Sequence, residues 1–121
     1  MNGARKFLTA NAYTPAIAGQ ILYDKVVSSC RHIAPTPMPD SLSPLLQSAY
    51  HDQEKIGWDQ LLCGRLAYKW GTVIANHLYE HQVSPKEMSA LIWGRKFTKL
   101  MFELILKLWD QRNKDGHIYS A

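Results

Sequence analysis

Residues 84–113, SPKEMSALIWGRKFTKLMFELILKLWDQRN, decide the fold. Ser84, Pro85, Lys86 and Glu87 have the form of a capping box with proline at the first helical position. The serine would accept a backbone N–H while Glu87 reaches back. From there the helical period runs unbroken to about Asn113, which predicts a helix of about 43 Å at 1.5 Å per residue. Trp93, Phe97, Leu100, Met101, Leu104, Ile105 and Leu108 make one broad apolar face. Met88, Leu91, Phe102, Leu106 and Trp109 make a second. Lys96, Lys99, Glu103, Lys107 and Asp110 form the exposed ridge, with Glu103 and Lys107 in the favoured i,i+4 order. Gly116 serves as an end signal. Two apolar faces on so long a helix exceed what a small monomer can cover, so self-association is predicted.

The segment before it, residues 58–79, places Leu62, Leu66, Trp70, Val73, Ile74 and His77 on one face at the helical period. Leu61, Tyr68, Ala75 and Tyr79 flank it. Arg65, Lys69, Thr72 and Asn76 fill a narrow polar wedge. Gly57, Gly64 and Gly71 recur every seven residues, and each mid-helix glycine costs about 0.8–1 kcal/mol against alanine. A regular trio therefore predicts close approach by a neighbouring helix.

Upstream, residues 15–30 carry Ile17, Ile21, Leu22, Val26 and Cys30 at helical spacing, with Thr14 as N-cap and Pro15 at the first position. Pro35, Pro37, Pro39 and Pro44 remove backbone donors and impose extended geometry, which makes residues 34–43 a semi-rigid connector. A helix restarts at Ser43 and Pro44. No segment alternates with period two. The prediction is an all-α fold, a small bundle of about four helices whose last two form a long antiparallel hairpin. Its divisions are an irregular N-terminus over 1–14, a first helix over 15–33, the connector, a helical core over 44–117 and a tail over 118–121.

At 121 residues the chain has the length of a single domain. With 46% hydrophobic and 20% charged residues, disordered and collagen-like readings fail. Two cysteines, Cys30 and Cys63, are too few for a disulfide scaffold and point to a reducing compartment, cytoplasmic or nuclear. No run approaches the roughly 20 apolar residues that span a bilayer, the N-terminus lacks a signal-peptide pattern, and no membrane partner is expected. The formal net charge of +4 is mild, but Arg95, Lys96 and Lys99 concentrate it on the last helix.

Two strings resemble a known pattern. Gln53, Ile56, Gly57, Trp58, Gly64, Arg65 and Trp70 are followed by Leu108, Trp109, Arg112, Asn113 and His117. The pattern, Q-x-x-I-G-W…G-R…W…L-W-x-x-R-N…H, resembles that of uncharacterised protist and algal sequences, often multicopy and associated with mobile elements. The resemblance covers residues 50–117. It implies that the chain belongs to, or derives from, a mobile-element protein, and it brings no active-site residues with it. Taken physically, Trp58 and Trp70 would anchor the third helix, Trp93 the core of the fourth and Trp109 its end. Arg65 wants a carboxylate, and an antiparallel hairpin would offer Asp110. Arg112, Asn113 and His117 would gather at the same end as a capping network or an anion site.

His77, Glu80 and His81 have the H-x-x-E-H spacing of an inverted zincin, two imidazoles one turn apart beside a carboxylate. A hydrolase needs a third ligand and a cleft, and neither has a sequence signature here. His77 also lies on the apolar face, as a core histidine would. No phosphate-binding loop, nucleotide fingerprint or serine elbow occurs, and no cofactor is expected. Cys63 reads as a small core residue.

Two functional readings follow. The first is a non-enzymatic interaction or self-assembly module, with a second copy or a helical protein as partner. The alternative is a sequence-independent nucleic-acid binder using Arg65, Lys69, Arg95, Lys96 and Lys99, with Arg112, Asn113 and His117 as further candidates. A metal-dependent hydrolase through the HLYEH segment ranks last.

Overall fold

The last helix starts later than its capping box predicts. In the computed structural model, which describes residues 2–31, 33–34 and 36–120 (side chains over 3–111 of these), the described residues form six helices and no strand. They are α1 (Asn2–Thr9), α2 (Ala16–Arg31), α3 (Pro44–Ile56), a 3-10 helix (Trp58–Cys63), α4 (Tyr68–Glu80) and α5 (Ala90–Ser120).

Ser89, not Ser84, caps α5. Its Oγ accepts the Ile92 N–H at 3.2 Å, the N3 donor that an N-cap side chain satisfies. Ser84 closes a turn instead, its Oγ accepting from Lys86 N and its carbonyl from Glu87 N and Met88 N. Glu87 does not reach back. It accepts the Tyr13 hydroxyl at 2.6 Å, and that hydrogen bond to a carboxylate pushes the Tyr13 phenol above its ordinary range. Ser89→Ala is therefore expected to cost about 1 kcal/mol in thermal denaturation, and Ser84→Ala well under half of that.

The segment expected as one helix over 58–79 is broken in two. Gly57 (φ +111°) and Gly64 (φ +76°) lie in the positive-φ region that glycine adopts without strain, on either side of the 3-10 helix. Residues 65–67 are outside any helix before α4 begins. Gly71 has open space where a Cβ would go, so the glycine trio is not a helix–helix seam. The close approach occurs at Gly19 in α2, where a Cβ would run into the Leu8 carbonyl at the end of α1. Gly19→Ala must push α1 off α2 and is expected to lower stability by about 2–3 kcal/mol, read as a shift in the denaturant midpoint.

The N-terminus, expected to be irregular, contributes α1 with Ala4, Phe7 and Leu8 buried. Thr14 does not cap α2. Pro15 O accepts the Gly19 N–H, while the Thr14 hydroxyl donates to Phe7 O at 2.9 Å. Ile17, one of the apolar residues at helical spacing, is exposed, whereas Ile21, Leu22 and Val26 are buried.

The packing centres on α5. Trp93, Phe97, Met101 and Leu104 face the core, against α1, α4 and the 3-10 helix in turn. The 3-10 helix also packs on α2, and α3 packs on α4. The last two helices pair only over the 13 residues of α4, because the break at Gly64 shortened it. Trp93 lies between Phe7 (centroids 5.1 Å) and Phe97 (5.7 Å), and its Nε1 donates to Thr14 Oγ1 at 2.8 Å. Trp70 is wholly enclosed, with an Nε1 donor left unpaired. No described helix is long and apolar enough to cross a membrane.

Candidate interaction surface

Leu104 is the last buried residue of α5 among those whose side chains are described, and residues 106–111 are all exposed. At 100° per residue the buried face (Trp93, Phe97, Met101, Leu104) and the charged ridge (Lys96, Lys99, Glu103, Lys107) occupy adjacent sectors. A third sector, roughly 145° round from the core face, carries Leu91, Phe102, Leu106 and Trp109, with the exposed Arg95 between Leu91 and Phe102. Their exposures are 65%, 62%, 51% and 53%. The half-buried Ile105 joins them, which completes the i, i+3, i+4, i+7 set of Phe102, Ile105, Leu106 and Trp109. Trp109, expected to anchor the bundle, therefore lies outside it. It follows Leu104 by five residues, and five steps of 100° rotate it off the core face.

At the usual size of large apolar side chains, these residues leave about 500 Å² open, the upper end of what a monomer exposes in one patch. The largest open aromatics elsewhere are Tyr68 and Tyr79, 89% and 85% exposed on α4. Each of those has a hydroxyl for water, whereas Phe102, Leu91 and Leu106 have none.

The basic candidates separate. Lys69 is held by Asp52 (3.4 Å) and Ser48. Arg65 is exposed in the non-helical link after Gly64, not in a helical wedge. A Cβ at Gly64 would fall 2.7 Å from Thr98, so Arg65 follows a residue seated on the α5 turn that bears Arg95 and Lys99. Asp110 is twelve residues beyond Thr98, about 18 Å along the helix, out of reach of the pairing expected with Arg65. Lys96 is exposed on the ridge. Arg112, Asn113 and His117 lie outside the described side chains.

His77 Nε2 donates to Ala12 O at 2.9 Å and His81 Nδ1 to His77 O at 2.8 Å, with ring centroids 4.1 Å apart. Both imidazoles thus spend one nitrogen on the backbone, and Glu80 points to solvent. Among the described residues no group of three or more His, Cys, Asp or Glu side chains stands where it could hold a metal ion. Cys63, expected in the core, is exposed at the end of the 3-10 helix. Cys30 is half-buried, and that burial pushes its thiol upward, away from the reactive thiolate.

Two buried polar residues, Lys25 and Gln53, have structural roles that the sequence did not disclose. Lys25 is buried on α2, with Nζ 2.7 Å from Thr36 O and 2.8 Å from Tyr50 Oη. The Tyr50 and Trp58 rings face it at 5.0 and 4.9 Å. One side chain thereby ties α2, the proline-rich connector, α3 and the 3-10 helix together. Its spacing from Ile21 and Leu22, four and three residues, is the signal that could have placed it inward. Gln53 is wholly enclosed in α3. Its Oε1 accepts the Ala67 N–H (2.7 Å) and its Nε2 donates to Arg65 O (3.0 Å), clasping the link between the 3-10 helix and α4. Gln53→Ala would orphan a buried N–H and a carbonyl, and is expected to cost about 2–3 kcal/mol in chemical denaturation.

The chain matches no protein-family model, no curated protein and no solved structure.

Proposed function

We propose that this chain is a helical self-assembly module whose working surface is the outer stripe of α5. The observation that carries this reading is the exposure of Leu91, Phe102, Leu106 and Trp109 along one face of a helix whose other face is the core. Two such stripes brought together remove about 1,000 Å² from water, the size at which a specific interface becomes stable. Phe and Trp at its centre are the residue types that carry interface energy.

The proposal extends to a mobile-element origin. Gln53 clasps a link, Gly57 and Gly64 make turns, Trp58 covers Lys25 and Trp70 fills the core. Leu108 and Trp109 belong to the exposed part of α5. A sequence pattern with those roles suits a shared scaffold and surface better than a shared reaction.

Hydroxyl-radical footprinting at rising protein concentration tests the surface. Phe102, Leu106 and Trp109 are expected to become protected while Tyr68 and Tyr79 stay reactive. Unchanged reactivity along α5 contradicts the reading.

Nucleic-acid binding is the second reading, supported by the close approach of Gly64, the residue before Arg65, to Thr98 on the turn of Arg95 and Lys99. Fluorescence anisotropy with single- and double-stranded DNA and RNA over a salt series tests it. Affinity that falls steeply with salt would favour it, and no binding at low salt removes it.

A further inference from the structure

The spacing of the stripe goes further than its exposure, since it lets a second copy dock antiparallel with every apolar group matched, and the charges beside it choose that orientation. Phe102, Ile105, Leu106 and Trp109 are separated by three, one and three residues, so the set reads the same in both directions along the helix. A two-fold axis between Ile105 and Leu106 turns one helix antiparallel to the other. Phe102 then lies level with the partner's Trp109, and Ile105 with the partner's Leu106. Each apolar group meets an apolar group, as an isologous interface requires. We infer that the occupant of this face is a second copy of the chain, antiparallel about that axis; this rests on the self-assembly reading above.

Two further features agree. The helix runs Ala90–Ser120, and its midpoint is Ile105, so an antiparallel pair centred there overlaps over its whole length. The half of each α5 beyond Leu104 lies along the exposed outer face of the half held in the partner's bundle, which covers Leu91 as well. Charge points the same way. A parallel pair would set Arg95, which falls in the stripe's own sector, against its own copy. The antiparallel pair separates the two Arg95 side chains by about 30 Å along the axis. Lys99 and Asp110 are eleven residues apart, about three turns, and so share one flank. Asp110 of one copy comes within about 3 Å of the level of the partner's Lys99.

Spin labels at positions 95 and 99 test orientation while leaving Phe102, Ile105, Leu106 and Trp109 intact. In a Cys30→Ser/Cys63→Ser background, Arg95→Cys and Lys99→Cys are labelled separately, and the mass is measured by sedimentation in the same samples. The antiparallel pair predicts axial separations of about 30 Å at position 95 and about 20 Å at position 99. A parallel pair sets each label level with its own copy, so position 95, nearer the seam, gives the shorter distance. A dimer with the longer distance at 95 supports the inference. A dimer with the shorter one overturns the orientation but leaves self-assembly standing. A monomer at every concentration overturns both, and a higher oligomer excludes the closed two-fold pair.

Discussion

Trp93→Ala is expected to remove about 4 kcal/mol of folding stability, a large share of the 5–15 kcal/mol that holds a domain of this kind together. Trp93 is 1% exposed and stacks between Phe7 of α1 and Phe97 of its own helix. Its loss leaves a cavity that neither ring can fill, because each is fixed by its own helix. The indole also donates to Thr14 Oγ1, which in turn donates to Phe7 O. That relay joins α5 to α1 across the loop before α2, so alanine would remove a buried acceptor's partner as well as apolar volume. Trp93→Phe separates the two contributions. It keeps most of the volume and is expected to cost less than half as much. Urea denaturation of the three proteins checks the order, and a Trp93→Ala midpoint close to that of the parent would contradict the central place given to this residue.

Phe102→Asp combined with Trp109→Asp is expected to abolish self-association and leave the monomer's melting temperature nearly unchanged. Both side chains are more than half exposed, so replacing them removes little core contact. In a pair of helices each substitution counts in both copies. Two aromatic anchors at about 2 kcal/mol each, lost from both copies, weaken the dimer by about 8 kcal/mol, roughly a millionfold, before repulsion among the new carboxylates. Tyr68→Asp on α4, where the side chain is still more exposed, is the control and should leave the association unchanged. Equal dissociation constants for the parent and the double variant would place the interface elsewhere.

Much of this was legible in the chain, and the gaps have physical causes. The helical class and the two-faced character of α5 follow from a period that repeats over eight turns, too long to arise from local accident. The starting point of α5 did not follow. Ser84 and Ser89 are both good caps, and what separates them is Tyr13, 74 residues away, which takes the carboxylate that a capping box needs. The heptad of glycines misled for a related reason. A glycine that ends a helix and one that lets two helices touch look alike in sequence, and only the positive φ at Gly57 and Gly64 tells them apart. The short α1 was missed because its signal is three residues, Ala4, Phe7 and Leu8, and a two-turn helix is stable only through what it packs against. Lys25 and Gln53 were hidden because their partners are carbonyls and rings on distant segments, which no spacing rule reaches. Most of the outer stripe was visible from the start, since it is a local property of one helix, but Met88, read with it, is buried, and Ile105, read with the core face, borders it. The place of Arg65 was not, because it depends on the break at Gly64.

Sedimentation equilibrium of the unmodified protein, from sub-micromolar to several hundred micromolar, tests the central claim most directly. The account predicts a reversible rise from the 13.8 kDa chain to twice that mass, with the same transition at low and at moderate salt, because the seam is apolar. A single species at 13.8 kDa across the whole range would contradict it.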